Sequence, residues 1–216
     1  MRHFLDIKDF DRKRLNSLLD TARDMKSGHD VGRPLDGLHI GMIFEKPSTR
    51  TRVSFEVGIS QLGGTPVFLA ASDLQLGRGE TVGDTAKVLS RYLDGLMIRA
   101  MKHETLTELV KHATVPVING LTDRSHPCQI LADLQTVIEH HGSLKNEVIV
   151  WFGDGNNVAN SWIEAAALFG FELRLVGPEA YHPSAELIAW ALEKGANIVI
   201  TKNAQEAARN ASVLVT

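Results

Sequence analysis

The chain has 216 residues, of which 44% are hydrophobic and 23% charged, a composition that is normal for a globular protein and atypical of a disordered one. Its net charge of −3 provides no overall attraction to nucleic acid, so any anion site must be local. A single cysteine, Cys128, excludes an internal disulfide framework and a multi-cysteine zinc site, and it fits a reducing, cytoplasmic compartment.

In the first half of the chain, apolar runs that are typical of strands alternate with segments of helical spacing. A helix is predicted over residues 10–26, and a buried strand over 38–44 leads into a helix that ends at Gly63-Gly64. The remaining elements continue the alternation, with strands at 66–69, 95–98 and 115–118 and helices at 81–93 and 104–112. This pattern predicts a parallel sheet with helices packed over it.

After Ile118 the alternation is interrupted. Residues 119–125 are predicted to form a turn-rich loop, and a long helix opens at His126 and ends at residues 141–143. A second series of elements then begins, with strands at 148–152, 173–176, 198–200 and 213–215 and helices at 156–169, 183–194 and 204–210.

The two series predict an α/β protein of two domains, each a parallel β-sheet flanked by helices. We place the first domain at residues 1–134, the second at 145–216, and the bridging helix at about 126–141. Ligands of open α/β sheets bind beyond the carboxyl ends of the strands, and the sequence stops where the next such loop should begin. The second domain is therefore expected to be incomplete.

A cluster of hydroxyl and guanidinium groups follows the strand over 38–44. Residues 44–52 read Phe-Glu-Lys-Pro-Ser-Thr-Arg-Thr-Arg, and they place Ser48 to Thr51 at the N-terminus of the next helix. There the first backbone N–H groups have no helical acceptor, and the helix dipole is positive. An ordinary N-cap with exposed arginines is the alternative, but so many packed donors favour an oxyanion site.

Further polar residues lie at strand ends, at helix starts or on a polar loop. Arg99 directly follows the strand over 95–98, and His126 and Gln129 share a face because they are three residues apart at a helix start. Gln75 lies on the polar loop over 70–80, which is either solvated or reaches a neighbouring subunit. The structural alternatives are a solvated charge for Arg99 and a capping histidine with a surface glutamine for the pair.

The run Gly153-Asp154-Gly155-Asn156-Asn157 follows a strand and opens a helix, so it resembles half of a dinucleotide-binding fingerprint. The third glycine is missing, since Val158 stands there, and the strand that ends at Val176 is not followed by the acidic residue expected at the ribose. We therefore favour a close backbone turn that displays Asn157 over a nucleotide site.

Several other classes of chemistry find little support in the sequence. Cys128 has no base arranged beside it, because His126 is two residues away and does not face it on a helix, so a buried, unreactive thiol is expected. No cluster has the spacing of a transition-metal site, and no apolar run is long enough to cross a bilayer. We expect no metal or organic cofactor, no membrane and no nucleic-acid partner.

Taken together, residues 44–52, Arg99, residues 126–129 (His-Pro-Cys-Gln) and residues 153–157 resemble the ornithine carbamoyltransferases of the transcarbamoylase family. The resemblance extends over essentially the whole chain. Ser-Thr-Arg-Thr-Arg combined with His-Pro-x-Gln is specific to the family, while Phe-Glu-Lys and Asp-Gly-Asn-Asn are similar to the ornithine branch rather than the aspartate branch.

The resemblance implies transfer of a carbamoyl group from carbamoyl phosphate to the δ-amino group of L-ornithine, giving L-citrulline and phosphate in arginine metabolism. It also implies a homotrimer with shared active sites. The residues that it implicates in chemistry are Arg50, Arg99 and His126. Those that it implicates in substrate binding are Ser48, Thr49, Arg50, Thr51, Gln75 (in the next subunit's site), Arg99, His126, Pro127, Cys128, Gln129 and, for ornithine, Asn157.

The family's Asp…Ser-Met-Gly loop and His-Cys-Leu-Pro motif would lie beyond Thr216, so the chain resembles a truncated family member. Several alternatives stay open at this point. The acceptor could instead be putrescine, an acylated ornithine or aspartate, or the chain could bind carbamoyl phosphate without catalysis. A nucleotide-dependent oxidoreductase is the weakest interpretation, for the reasons found at residues 153–157.

Overall fold

The computed structural model describes residues 3–70, 74 and 79–216. Within them the chain forms two four-stranded parallel sheets. The strands are β1 (His39–Phe44), β2 (Thr65–Ala70), β3 (Gly95–Arg99), β4 (Val117–Leu121), β5 (Val148–Phe152), β6 (Glu172–Val176), β7 (Asn197–Thr201) and β8 (Val213–Val215). The helices are α1 (Arg12–Lys26), α2 (Thr49–Gln61), α3 (Val82–Tyr92), α4 (His103–His112), α5 (Pro127–His141), α6 (Asn157–Phe169), α7 (Ala185–Glu193) and α8 (Ala204–Ala207).

Two compact units make up the chain. The first comprises Met1–Leu5 and Asp24–Asp123, and the second comprises Asp6–Arg23 and Arg124–Thr216, so α1 contributes residues to both. The predicted α/β class, with two parallel sheets flanked by helices, is confirmed. The predicted domain limits, 1–134 and 145–216, remain a prediction.

The first unit has the strand order β2-β1-β3-β4, and both faces of its sheet are covered. One face carries a buried cluster that includes Ile43, Leu96 and Ile98, and the other carries Met42 and Met97. Successive side chains of a strand point to opposite faces, which explains the near-continuous apolar runs of β1 and β3. Because these strands are parallel, Phe44 and Arg99 lie in register at the same edge of the sheet.

The end of β4 corrects the prediction that residues 119–125 form a loop. Strand β4 continues through Leu121, with Asn119 paired to Ile98 and Leu121 to Arg99 after a register shift. The N–H of Asn119 donates to the carbonyl of Phe4, and its side chain donates to the carbonyl of Leu5 at 2.8 Å. An Asn-Gly pair is typical of a turn, but here the N-terminal segment accepts both of these hydrogen bonds from Asn119, and the backbone stays extended.

The second unit has the strand order β7-β6-β5-β8, and α6 is its most buried helix. Helix α8 is shorter than the predicted 204–210. It ends at Ala207, and Nη1 of Arg174 donates to the carbonyl oxygens of Ala207 and Arg209 at 2.8 and 2.7 Å. Among the helices in the described ranges, none is both long and apolar enough to cross a membrane.

Candidate functional site

The turn between β1 and α2 carries the first group of predicted site residues. Ser48 is the N-cap of α2, with extended backbone angles (φ −155°, ψ 110°), and Thr49 begins the helix. The side chain of Ser48 makes no capping hydrogen bond. Its hydroxyl therefore does not act as an ordinary N-cap, which was the alternative that we considered. The N–H groups of residues 49–51 have no intrahelical acceptor and form the positive end of the helix dipole.

Arg99 joins this turn from the end of β3. Its Nη1 donates to the hydroxyl oxygens of Ser48 and Thr51, at 3.2 Å in each case. Burial lowers the pKa of the Arg99 guanidinium from its ordinary value, although arginine stays protonated in proteins. The structure therefore brings three of the predicted residues together as one cationic, hydroxyl-rich group in the first unit.

The two arginines of α2 differ in what they contact. Arg52 lies 3.8 Å above the centre of the Phe68 ring and pairs with Glu56 at 3.4 Å. Arg50 is exposed, and its guanidinium makes no hydrogen bond or ion pair within the part of the chain that the structure describes. Of these two arginines, Arg50 is thus the one whose guanidinium is available to a ligand.

An open cavity of about 720 Å³ lies beside the turn. Ser48, Thr49 and Arg52 line one side, and Phe68 contributes an apolar wall.

Gln75, which we predicted to reach a neighbouring subunit's site, lies outside the described residues. The structure therefore gives no test of its place.

Sequence reasoning assigned no role to Glu45, which the structure places next to Arg99. The N–H of Glu45 donates to the Arg99 carbonyl at 2.9 Å, and its carboxylate accepts from the N–H of Met101. These bonds hold the end of β3 against the end of β1, and so they fix the backbone that carries Arg99. The sequence signals were the position of Glu45 directly after a buried strand and its place in the Phe-Glu-Lys run.

The second group of predicted residues lies at the start of α5, in the second unit. His126 is the N-cap, Pro127 is the first helical residue, and the N–H of His126 donates to the hydroxyl of Ser161 at 2.9 Å. Gln129 is exposed and donates to a carboxylate oxygen of Asp133 at 2.8 Å. Burial raises the pKa of Asp133, and the bond from Gln129 offsets part of that rise.

Cys128 lies between these residues and retains some exposed surface. Burial of its thiol nevertheless raises its pKa to about 12. The thiolate is the nucleophilic form of cysteine, and a thiol with this pKa is protonated at neutral pH. The raised pKa agrees with the unreactive thiol that we predicted, whereas the residue is half-buried rather than buried.

Asn157 begins α6, directly after the glycine-containing turn. The side-chain oxygen of Asn156 accepts from the N–H groups of Val158 and Ala159, at 2.9 and 3.1 Å. A Cβ on Gly155 would lie 2.3 Å from the backbone nitrogen of Pro183, so this glycine accommodates the chain's own backbone. A pyrophosphate at this helix start would compete with Asn156 for the same N–H groups, which speaks against dinucleotide binding.

In the described part of the chain, no group of three or more His, Cys, Asp or Glu side chains is arranged to hold a metal ion. The chemical resources of both units are instead hydroxyl, amide, imidazole and guanidinium groups. Such groups bind anions and stabilise charge that develops on oxygen.

Comparison with known proteins assigns both parts of the chain to one family. Residues 2–139 match the family model described as the aspartate/ornithine carbamoyltransferase carbamoyl-P binding domain. Residues 145–216 match the aspartate/ornithine carbamoyltransferase Asp/Orn binding domain. The chain belongs to the aspartate/ornithine carbamoyltransferase family.

Relatives within the family are similar over the whole of this chain. The chain is 50% identical to the ornithine carbamoyltransferases of Rhizobium meliloti and Methanosphaera stadtmanae. In both comparisons the matched region covers 100% of this chain and 72% of the relative. The solved structure of the Pyrococcus furiosus ornithine carbamoyltransferase is 44% identical with a TM-score of 0.93, covering 99% of this chain and 70% of that one. The family resemblance found in the sequence is thereby confirmed.

Proposed function

We propose that this chain transfers the carbamoyl group of carbamoyl phosphate to the δ-amino group of L-ornithine, giving L-citrulline and phosphate in arginine metabolism. The observation that carries the proposal is the turn at the start of α2. There, the Arg99 guanidinium donates to the Ser48 and Thr51 hydroxyls, the Ser48 side chain leaves the first helix N–H groups uncapped, and Arg50 of the same turn is exposed. The carbamoyltransferase relatives, which are named for ornithine, support the choice of acceptor.

The chemistry explains why such donors would be selected. The amine attacks the carbonyl carbon, so a C–N bond forms and negative charge develops on the carbonyl oxygen. The C–O bond to phosphate then breaks, its electron pair leaves with phosphate, and the nitrogen loses a proton. Preorganised cations and N–H donors stabilise both charges, and the reaction needs no cofactor because phosphate leaves readily.

Each predicted residue has a proposed role in that sequence of events. Ser48, Thr49, Arg50 and Thr51 bind the phosphate. Arg99, His126 and Gln129 contact the carbamoyl end, with Pro127 and Cys128 in the same binding segment. Asn157 contributes to the ornithine site.

The assembly and location are also proposals. In a homotrimer with shared active sites, Gln75 would reach the carbamoyl phosphate site of the neighbouring subunit. A cytoplasmic location rests on the single cysteine, because disulfide-poor chains suit reducing compartments. A monomer with full activity would contradict the shared site.

The decisive experiment is citrulline formation by the purified 216-residue chain. Carbamoyl phosphate is supplied with ornithine, and aspartate and putrescine are run in parallel as acceptors. Product with ornithine alone supports the proposal, whereas product with another acceptor alone overturns the assignment of ornithine.

A second measurement separates binding from turnover. If no acceptor yields product while carbamoyl phosphate binds saturably, the chain is a carbamoyl-phosphate-binding protein and the transfer proposal fails for this chain. Loss of that binding in Arg50→Ala, but not in Arg52→Ala, would assign it to the α2 turn.

A further inference from the structure

Three consecutive residues that lead into α5 are each held by a side chain of the second unit. The carbonyl of Arg124 accepts from Nδ2 of Asn160 at 3.0 Å. The hydroxyl of Ser125 donates to the carboxylate of Asp6, and the N–H of His126 donates to the hydroxyl oxygen of Ser161 at 2.9 Å. Ser125 and Ser161 are fully buried and Asp6 is 4% exposed, so water does not substitute for the bonds that these three side chains make.

These bonds act on the backbone that orients His126. As the N-cap of α5, His126 has non-helical angles (φ −139°, ψ 66°), so the helix itself does not determine its conformation. A buried N–H that loses its acceptor is costly, and the backbone would rotate to find another. Ser161 therefore restricts the backbone conformation of His126, and with it the direction of the His126 side chain.

Helix α6 carries Asn160 and Ser161, which bond to the backbone of Arg124 and His126, and its first residue is Asn157. Asn160 and Ser161 lie three and four residues after Asn157, so all three share one face of the helix. A single buried helix thus carries the residue proposed to bind ornithine and holds the backbone of the residue proposed to contact the carbamoyl group.

We propose that Ser161 is a positioning residue, which fixes His126 for contact with the carbamoyl end of the substrate. This inference rests on the proposed function and adds to it a residue that does not itself touch the substrate. Asn160 acts in the same way but less directly, because it holds the carbonyl of Arg124, two residues before His126.

The chain contains a matched control for this arrangement. Ser90, on α3 of the first unit, also uses its hydroxyl oxygen to accept a backbone N–H from another segment, that of Thr114 at 3.1 Å. Ser90 is not among the predicted site residues. Ser90→Ala therefore removes a hydrogen bond of the same kind, at a more exposed position, without affecting His126.

The experiment compares the wild-type 216-residue chain with Ser161→Ala, Ser161→Thr and Ser90→Ala. Calorimetry gives the affinity for inorganic phosphate and for carbamoyl phosphate, and amide hydrogen exchange reports on residues 126 and 114. Phosphate lacks the carbamoyl group, so the ratio of the two affinities isolates the carbamoyl contact.

In Ser161→Ala we expect about tenfold weaker carbamoyl phosphate binding, unchanged phosphate binding and faster exchange at His126. Ser161→Thr, which keeps a hydroxyl, restores the affinity ratio. Ser90→Ala changes exchange at Thr114 only. If Ser161→Ala is too unstable to study, Asn160→Ala is expected to lower the same affinity ratio.

A wild-type affinity ratio in folded Ser161→Ala would overturn the inference, whether both affinities are unchanged or both fall by the same factor. A wild-type chain that binds carbamoyl phosphate no better than phosphate counts against the proposed function instead. In that case hydrogen exchange still decides the anchor, because unchanged protection of His126 in Ser161→Ala refutes it.

Discussion

The turn between β1 and α2 and the turn between β5 and α6 are built alike. In each, a buried parallel strand ends, four residues follow (45–48 and 153–156), and a 13-residue helix begins. They differ in what happens to the first N–H groups of the helix. Asn156 caps α6 with its own side chain, whereas the Ser48 side chain leaves the N–H groups of α2 uncapped and contacts Arg99.

The two helices differ equally in burial. Only Ile59 of α2 is buried, but eight residues of α6 are, including Ser161 and Glu164. A helix N-terminus is a potential anion site only where its N–H groups are unoccupied and cations are added. The comparison therefore supports the proposal that the anion binds at α2 and that α6 has a supporting role.

The largest expected effect follows from removing the available cation of α2. Arg50→Ala should lower turnover, or carbamoyl phosphate affinity if turnover is absent, by about 10²–10³-fold, because one preorganised donor contributes roughly 3–4 kcal/mol. Steady-state kinetics or calorimetry provides the measurement.

Arg52→Ala is the matched control, since it removes the same charge from the same helix. Arg52 already pairs with Glu56 and stacks on Phe68, so we expect an effect of a few-fold at most. Equal effects of the two substitutions would show that general charge, rather than the turn, attracts the anion.

The next effect concerns the buried carboxylate of α6. Glu164 is 2% exposed, and burial, with Asp6 nearby, raises its pKa to about 7 despite a 3.2 Å ion pair with Lys8. Between the ordinary glutamate pKa and about 7, the native state holds more protons than the unfolded state. Stability from this group is therefore complete at low pH and is lost as the pH rises through about 7.

Glu164→Gln should remove that pH dependence. We expect the free energy of unfolding of the variant, relative to wild type, to increase by ~3 kcal/mol between about pH 4.5 and 8, since each pKa unit corresponds to about 1.4 kcal/mol. Urea unfolding followed by tryptophan fluorescence measures it, because Trp151, Trp162 and Trp190 all belong to the second unit. A difference that does not vary with pH would refute the raised pKa.

The smallest effect tests the caps themselves. Asn156→Ala should lower the free energy of unfolding by about 1 kcal/mol, because two N–H groups lose their acceptor, while Asn156→Asp keeps an acceptor and should be nearly neutral. Ser48→Ala should cost less stability but weaken phosphate binding. Urea titration measures the stability of the three variants, and calorimetry measures their phosphate binding. A Ser48→Ala variant that lost stability but kept phosphate binding would contradict the contrast drawn between the two turns.

Much of the candidate site could be predicted from short stretches of sequence. The strand-to-helix turn at Ser48, the strand end at Arg99 and the proline-initiated helix after His126 depend on local periodicity and capping. Interactions within a few residues determine such features, and the sequence displays them directly.

The remaining features depend on partners far away in the chain. Asn119 lies in a strand because Leu5, 114 residues away, accepts its side-chain hydrogen bond, and Glu164 is paired with Lys8 across 156 residues. Ser161 was not predicted for the same reason, since a serine in an apolar helix has no local sign of its acceptor role. By itself the sequence predicted the order of the elements and the turn at Ser48 that we propose binds an anion. Only the tertiary structure decided the limits of β4 and α8 and how buried polar groups are satisfied, because burial removes water and leaves distant residues as their partners.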